Sequence, residues 1–173
     1  MTVLVAPDRD DRTERAEPGL LELDLVRATD GRTRVAGWAQ RFPQRVTTPM
    51  YVDDSAPGTA YLCVQNPTGG LFPGDHLRTR VRLEPGAGLQ FGGQSATIVY
   101  GGGPARQSYD VVVGDGAVLE HVPGTTIPHP EAELYQRSRV RLDGDAVYLG
   151  WERLASGRIA RGERHAYRLL DCR

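Results

Sequence analysis

The four histidines are the residues of this sequence best suited to metal or proton chemistry, and they are scattered along the chain: His76, His121, His129 and His165. None belongs to an HxH, HxxE or HExxH pattern, and the two cysteines form no CxxC pair. His121 and His129 stand close together in the sequence and could approach each other across a loop, so they are the weak metal-ligand candidates. The alternative is that both are surface histidines or core histidines with satisfied hydrogen bonds.

Other catalytic patterns are missing as well. The sequence contains no GxSxG motif, and no serine has a histidine partner at a recognisable spacing. All 21 basic residues are arginines, so mechanisms that need a lysine, such as a P-loop or a Schiff base, are excluded. The sequence therefore predicts a protein that is not an enzyme.

Composition restricts the partners and the compartment. The 173-residue chain carries 21 basic and 22 acidic residues, and a net charge of −1 does not attract nucleic acid or an anionic membrane. Its two cysteines, Cys63 and Cys172, lie far apart and suggest free thiols in a reducing compartment. No apolar run approaches the roughly 18 residues of a membrane span, and the N-terminus lacks a signal pattern. We expect a cytoplasmic protein with no nucleic-acid or membrane partner.

The elements that position these residues are strands, because polar and apolar residues alternate from Leu20 onward. In the segment 76–83, Leu77, Thr79, Val81 and Leu83 share one face, and His76 and three arginines share the other. The frequent glycines and prolines predict many turns, and the segment 130–138 is the one weak helical candidate. We predict an all-β, layered, mostly antiparallel stack of strands with few or no helices. Residues 1–18 are predicted to be a flexible tail before a single domain, 19–173.

A faint repeat supports the layering. Similar strand–turn–strand segments begin at Val81, Val111 and Val140. The alanines that follow their turns recur at a nearly constant interval: Ala87, Ala117 and Ala146. Such units would complete one another's core by stacking. A meander of hairpins would produce a similar spacing, so both arrangements stay open at this point.

Polar and glycine-rich clusters stand at the ends of predicted strands. They are the segments 66–75, 119–129 with Gln136, 151–152 and 157–163. Glycines there permit tight backbone turns, and the Arg and Glu of the segment GRIARGE could form a buried or interfacial ion pair. Each cluster alone is also compatible with ordinary turn structure.

Taken together, in this order and spacing, the clusters resemble the urease accessory protein family UreD, also called UreH. The matching sections are NPTGGxxPGD at 66–75, xLEHVP with IP at 118–128, and GRxARGE at 157–163. The resemblance implies a helix-like stack of strands and a scaffold that binds apo-urease with UreF-like and UreG-like proteins. It also implies non-enzymatic help in nickel delivery, with metal routed through an internal channel and with no tightly bound cofactor.

By motif position, Asp75 and Glu163 match the carboxylates that matter in this family. The other partner or metal-path candidates are Glu120, Gln94, Arg158 and Arg161. The chain departs from the family where it reads GGQSATI at 92–98, since relatives carry TTQ and then a basic residue. Family members also continue beyond residue 173, so we expect either a divergent or C-terminally short member or a fragment of a longer one. These departures leave open a second function, a non-catalytic β-sandwich binding module with another partner.

Overall fold

The computed structural model describes residues 17–173, and nearly all regular structure in this range is β-strand. The flexible tail predicted for 1–18 falls, up to residue 16, outside the described residues. The strands are β1 Gly19–Arg27, β2 Thr33–Arg41, β3 Arg45–Val46, β4 Ala60–Gln65, β5 Gly70–Leu71, β6 His76–Leu83, β7 Gly88–Gly93, β8 Thr97–Val99, β9 Gly103–Val113, β10 Val118–Val122, β11 Thr126–Pro128, β12 Ala132–Leu142, β13 Val147–Gly150 and β14 Leu169–Cys172. One 3₁₀ turn, Ile159–Arg161, is the helical element of this range. Within residues 17–173, no helix is long and apolar enough to span a bilayer.

The strands form three sheets, and the chain visits them in turn. The first sheet has the order β14-β12-β9-β6-β1-β2, the second β13-β10-β7-β4-β3, and the third β11-β8-β5. One passage of the chain through these sheets is a coil. From β4 onward, strands pair with the equivalent strand of the next coil, so that Val81 lies beside Val111 and Val111 beside Val140. The molecule is therefore a stack of coils, which confirms the all-β, layered, helix-like fold.

The predicted strand direction is wrong, because most pairs are parallel. Only β1–β2 and β3–β4 are antiparallel among the strand pairs of the described chain. Outside the β1–β2 and β3–β4 connections, the short turns that suggested hairpins are corners, which lead the chain into the next sheet instead of reversing it beside the previous strand. Apolar and polar residues alternate in the same way in parallel and in antiparallel strands, because the alternation reflects the pleat of each single strand. The alternative β-sandwich fold is excluded, because the strands form a stack of mostly parallel coils in three sheets.

The sequence repeat is the coil itself. Gly88 pairs with Val118 and Val118 with Val147, so the regular interval of the sequence is the length of one coil at this point. Ala87 and Ala117, which follow equivalent corners, are both buried. The predicted layering is thus confirmed, and the weak helical candidate at 130–138 lies mainly in β12. Parallel pairing of β12 with β9 on one side and β14 on the other decides its conformation.

The core divides into two apolar clusters. The larger one contains the inward residues of β1, the second halves of β6 and β9, and the facing strands of the second sheet, among them Leu23, Leu83 and Leu119. The smaller one lies next to the third sheet and includes Leu71, Leu77, Val99 and Leu134. The inward face predicted for β6 is confirmed, since Leu77, Thr79, Val81 and Leu83 are all buried.

Candidate functional site

A set of inward-facing polar residues interrupts the apolar interior of the stack. We call it the interior polar column: Gln44, Thr79, Gln107, Tyr109 and His121. In the first sheet, Thr79 pairs with Tyr109, and Leu77 pairs with Gln107. Gln107 and Tyr109 point inward because they alternate along β9 with the same phase as buried Val111 and Val113. His121 enters from the opposite side on β10, next to Phe91 of β7.

Two adjoining cavities follow this column. The first has a volume of about 80 Å³ and is lined by Gln44, Thr79 and Gln94. The second has a volume of about 260 Å³ and extends to Gln136, Glu152 and Cys172 in the last coil. Gln107, Tyr109 and His121 line both, as do Thr97, Pro123 and Gly124. The lining combines these polar side chains with a larger share of apolar surface, and cavities of this size have room for water molecules or a hydrated ion.

Hydrogen bonds fix the polar side chains at the narrow end. The buried Gln44 side chain donates from Nε2 to the carbonyl oxygens of Gly19 (3.1 Å) and Arg78 (2.9 Å). Its Oε1 accepts a hydrogen bond of 2.8 Å from the Thr79 hydroxyl. These groups are therefore fully engaged with protein, and the narrow end is rigid.

In the middle of the column, the His121 imidazole and the Gln107 amide lie among the phenol rings of two tyrosines. Gln107 Nε2 donates to the Tyr109 hydroxyl. The rings of Tyr109 and His121 meet edge to face at 5.0 Å between centroids. His121 Nδ1 lies 3.2 Å from the hydroxyl oxygen of Tyr148. His121 is thus held between three aromatic side chains with one ring nitrogen already near a partner.

Burial keeps this middle section uncharged. It lowers the pKa of His121 to about 4, because the imidazolium loses its hydration. Burial also raises the pKa of the Tyr109 phenol above its usual range, and the charge of Glu152 adds to that shift. At neutral pH the lining therefore offers neutral nitrogen and oxygen lone pairs, which bind borderline metal ions without a fixed opposite charge.

The predicted residues of the segment 118–129 separate in the structure. His121 lines the cavities, whereas Glu120, the preceding residue, points outward and accepts a 3.0 Å hydrogen bond from Gln90 Nε2. Gln94 is exposed at the rim of the first cavity. His129 lies elsewhere, on the outer side of the third sheet. In residues 17–173 no three His, Cys, Asp or Glu side chains are grouped to hold a metal ion.

His129 belongs to an exterior ladder that joins successive coils. Phe72 stacks on Tyr100 at 4.4 Å, and Tyr100 meets His129 edge to face at 5.0 Å. Each residue directly follows a strand of the third sheet, so the coil repeat places them in line. Asp75 supports the first rung, because its Oδ2 accepts the backbone N–H of Phe72 at 2.8 Å. The motif at 66–75 is thus a turn that presents an exposed aromatic ring.

The motif at 157–163 lies near the His129 end of the ladder, since the charges of Arg158 and Glu163 act on the His129 imidazole. There Glu163 Oε2 accepts a 2.7 Å hydrogen bond from Arg158 Nε, and a second bond joins the same two side chains. The side chains of Arg158 and Glu163 are 33% and 19% exposed. The predicted ion pair of this motif is confirmed with Arg158 as the partner, whereas Arg161 lies exposed on the 3₁₀ turn. The pair ties the two ends of this loop together.

We expect Glu163→Gln to lower the melting temperature by a few degrees at pH 7. The hydrogen bond from Arg158 lowers the pKa of Glu163. Its stabilising contribution is therefore present above the usual glutamate value of about 4.3 and is lost as pH falls through the lower folded value. Thermal melts at several pH values should show the two proteins converging in acid. Glu84→Gln, at an exposed turn, is the control; equal melting of wild type and Glu163→Gln at pH 7 would contradict the contribution of the pair.

Sequence reasoning did not identify Gln107, Tyr109 or Gln44. The signal is present once the three repeats are aligned, because Gln107 and Tyr109 occupy the positions of Leu77 and Thr79 in the preceding coil. Gly124 is a second missed feature. A Cβ there would lie 1.8 Å from the carbonyl oxygen of Ser95, so only glycine allows the two corners beside the cavities to approach this closely.

Comparisons with known proteins give one consistent result. Residues 17–173 match the model of a family described as "UreD urease accessory protein". A urease accessory protein UreD from Mycolicibacterium gilvum is 45% identical over 157 residues, which are 90% of this chain and 58% of the relative. The protein of that name from Cenarchaeum symbiosum is 31% identical over 153 residues, 87% of this chain and 53% of the relative. A third, from Herpetosiphon aurantiacus, is 36% identical over 166 residues, which are 93% of this chain and 56% of the relative. The chain thus spans somewhat more than half the length of these curated relatives.

Proposed function

The chain belongs to the UreD family of urease accessory proteins, and from this premise we propose that it is a non-catalytic scaffold for urease maturation. In this role it binds the urease apoenzyme subunits together with UreF-like and UreG-like proteins. It assists the insertion of nickel into the urease active site. The assembly forms in the cytoplasm, where the two unpaired cysteines stay reduced.

The interior polar column is the observation that supports a direct part in nickel transfer. We infer that Ni²⁺ passes as cargo along the two adjoining cavities, from the rim at Gln94 to the wider opening at Glu152, or in the reverse direction. His121 offers an imidazole that stays neutral at pH 7 and is therefore able to coordinate the ion. Gln107 and Tyr109 supply oxygen ligands that replace part of the hydration shell.

The weakness of this ligand set suits a transfer role. One imidazole with neutral oxygen ligands binds nickel transiently, whereas thiolate or clustered carboxylate ligands would retain it. We expect no tightly bound cofactor, and only weak nickel binding by the isolated protein. The carboxylate of Glu152 stands at one opening, where it would attract a cation before the uncharged section begins.

The exterior motifs supply contact residues for partner proteins in this proposal. Asp75 holds the turn that exposes Phe72, and Glu163 holds the loop that exposes Arg161. Glu120 lies on the outer face of the second sheet. Because these residues are on the surface of rigid coils, a partner meets them in a fixed arrangement.

Replacing the interior polar groups should reduce urease activation severalfold while leaving the fold intact. Gln107→Leu together with Tyr109→Phe removes an amide and a hydroxyl from the lining. Leucine already occupies the equivalent position in the preceding coil, at Leu77, so the variant is expected to pack. The measurement is urease activity after reconstitution with nickel and the accessory proteins.

Glu84→Gln is the control, since Glu84 is exposed at the corner before β7 and lines neither cavity. It should activate urease like the wild type. Full activation by the double variant, with an unchanged melting temperature and unchanged binding to the apoenzyme, would contradict an interior route. Loss of apoenzyme binding by the double variant would also contradict it, because the lost activation would then reflect docking.

A further inference from the structure

The outer side of the first sheet is dominated by arginine. The outward positions of β6 hold three, and those of β12 hold three more, while β9 between them contributes one near its start. Together they form a surface that we call the arginine face: Arg78, Arg80, Arg82, Arg106, Arg137, Arg139 and Arg141. Their sequence neighbours Thr79, Val81 and Leu83 point into the core. The parallel register repeats this pattern from coil to coil.

The face has the shape of a trough. The register sets Arg78, Ser108 and Arg137 in one row across the sheet. In the second row, Asp110 lies between Arg80 and Arg139. In the third row, Val112 lies between Arg82 and Arg141. Long side chains thus stand on both sides of the shorter ones on β9. Successive rows are about 6.6 Å apart, and the two arginine columns are about 9.6 Å apart, from ordinary strand geometry.

Positive charge is in excess on this face although the whole chain has a net charge of −1. Arg80 and Arg82 pair with Glu22 and Asp24 at 2.7 and 3.7 Å, and Arg141 lies 3.6 Å from Asp143. Among the described residues, no carboxylate is within 4.0 Å of Arg78, Arg137 or Arg139.

Stability alone does not account for this arrangement. Like charges on one side of a sheet are unfavourable, and exposed ion pairs contribute little to folding.

We propose that the arginine face docks an extended, carboxylate-rich segment of a partner protein. An extended peptide places alternate side chains about 6.6–6.8 Å apart, which matches the spacing of the rows. Guanidinium groups bind carboxylates through two parallel hydrogen bonds, and arginine is the only cation that the chain uses. The proposal deepens the scaffold role and rests on it for its biological setting.

The acidic residues interspersed in the face identify the partner class. Glu22, Asp24 and Asp110 lie among the arginines and would repel the uninterrupted phosphates of a nucleic acid. A protein segment, by contrast, has side chains of both signs and can place polar or basic residues opposite these carboxylates. Nucleic acid binding is therefore the outcome that would refute the proposal.

The test is fluorescence anisotropy with a labelled peptide of alternating glutamate and serine, titrated with the whole chain. We expect salt-sensitive binding, and a loss of affinity of about tenfold or more for the variant with Arg137→Gln, Arg139→Gln and Arg141→Gln. The control carries Arg45→Gln, Arg153→Gln and Arg164→Gln, exposed positions outside the face with the same change in net charge. It should lose less than about twofold.

Three outcomes would overturn the proposal. They are no binding by the wild type at low salt, an equal loss in both variants, and binding of a DNA duplex as tight as that of the peptide. The assay contains neither urease nor nickel. Its result therefore stands apart from the activation experiment, and each proposal can fail without the other.

Discussion

Replacing Leu119 with alanine is expected to lower the free energy of unfolding by about 2–5 kcal/mol. Leu119 is 0% exposed in the larger core cluster. The register places it between Leu89 of the preceding coil and Tyr148 of the next. Deleting its side chain therefore opens a cavity that touches three coils, and parallel strands held on both sides have little freedom to close it.

Val118→Ala is the matched control for this experiment. Val118 precedes Leu119 on β10 but points outward and is 42% exposed. Its truncation should change the free energy of unfolding by no more than about 0.5 kcal/mol. Urea denaturation followed by circular dichroism measures both. Similar losses for the two variants would mean that the inward and outward faces of β10 are assigned incorrectly.

Acidification from pH 6.5 to pH 4 is expected to cost about 3 kcal/mol of stability through His121 alone. In the unfolded chain an ordinary histidine takes up its proton near pH 6.5, whereas in the folded protein burial lowers the pKa of His121 to about 4. The unfolded state therefore binds more protons throughout this interval. Stability is fully present above pH 6.5, decreases as pH falls, and stops changing through this group below about pH 4.

The comparison of His121→Asn with His165→Asn tests this effect. Asparagine keeps a polar side chain near Tyr148 but does not titrate, so the pH dependence of unfolding should flatten in the first variant. His165 is exposed and has a φ of 52°, a conformation that asparagine tolerates well. The second variant should retain the wild-type slope. An undiminished slope in His121→Asn would mean that other groups account for the acid sensitivity.

The sequence was sufficient to predict the strands and the coil length, but not the direction of pairing. Alternation over Leu77–Leu83 identified the buried face correctly, because the pleat of a strand admits only two faces. The spacing of Ala87, Ala117 and Ala146 likewise indicated the repeat. A turn such as Glu84-Pro85-Gly86, however, serves equally as a hairpin or as a corner. Which of the two forms depends on contacts with the next coil, which lie far away in sequence.

The candidate site was predictable only in part, for a related reason. His121 was chosen for its side chain, and the Arg158–Glu163 pair for the motif that contains both. Gln107 and Tyr109 stand in the polar run Gln107–Asp110, where no apolar neighbour marks the inward face. Their orientation follows from the register with β6 and β12, which a single strand does not reveal. The same holds for the arginine face, since its two columns are far apart in sequence.

The corner between β13 and β14 has a consequence for how such a protein changes during evolution. Glu133 pairs with Pro104 of the preceding coil and with Leu169 of the following one. More residues separate Glu133 from Leu169 than separate Pro104 from Glu133. The additional residues are absorbed outside the ladder, and the two strands still meet in register. Insertions and deletions should therefore accumulate at corners, while a single inserted residue within a strand would turn every following side chain to the wrong face. Whole coils, by contrast, can be duplicated or removed as units, so gene lineages of this architecture are expected to diverge in length by steps of about one coil.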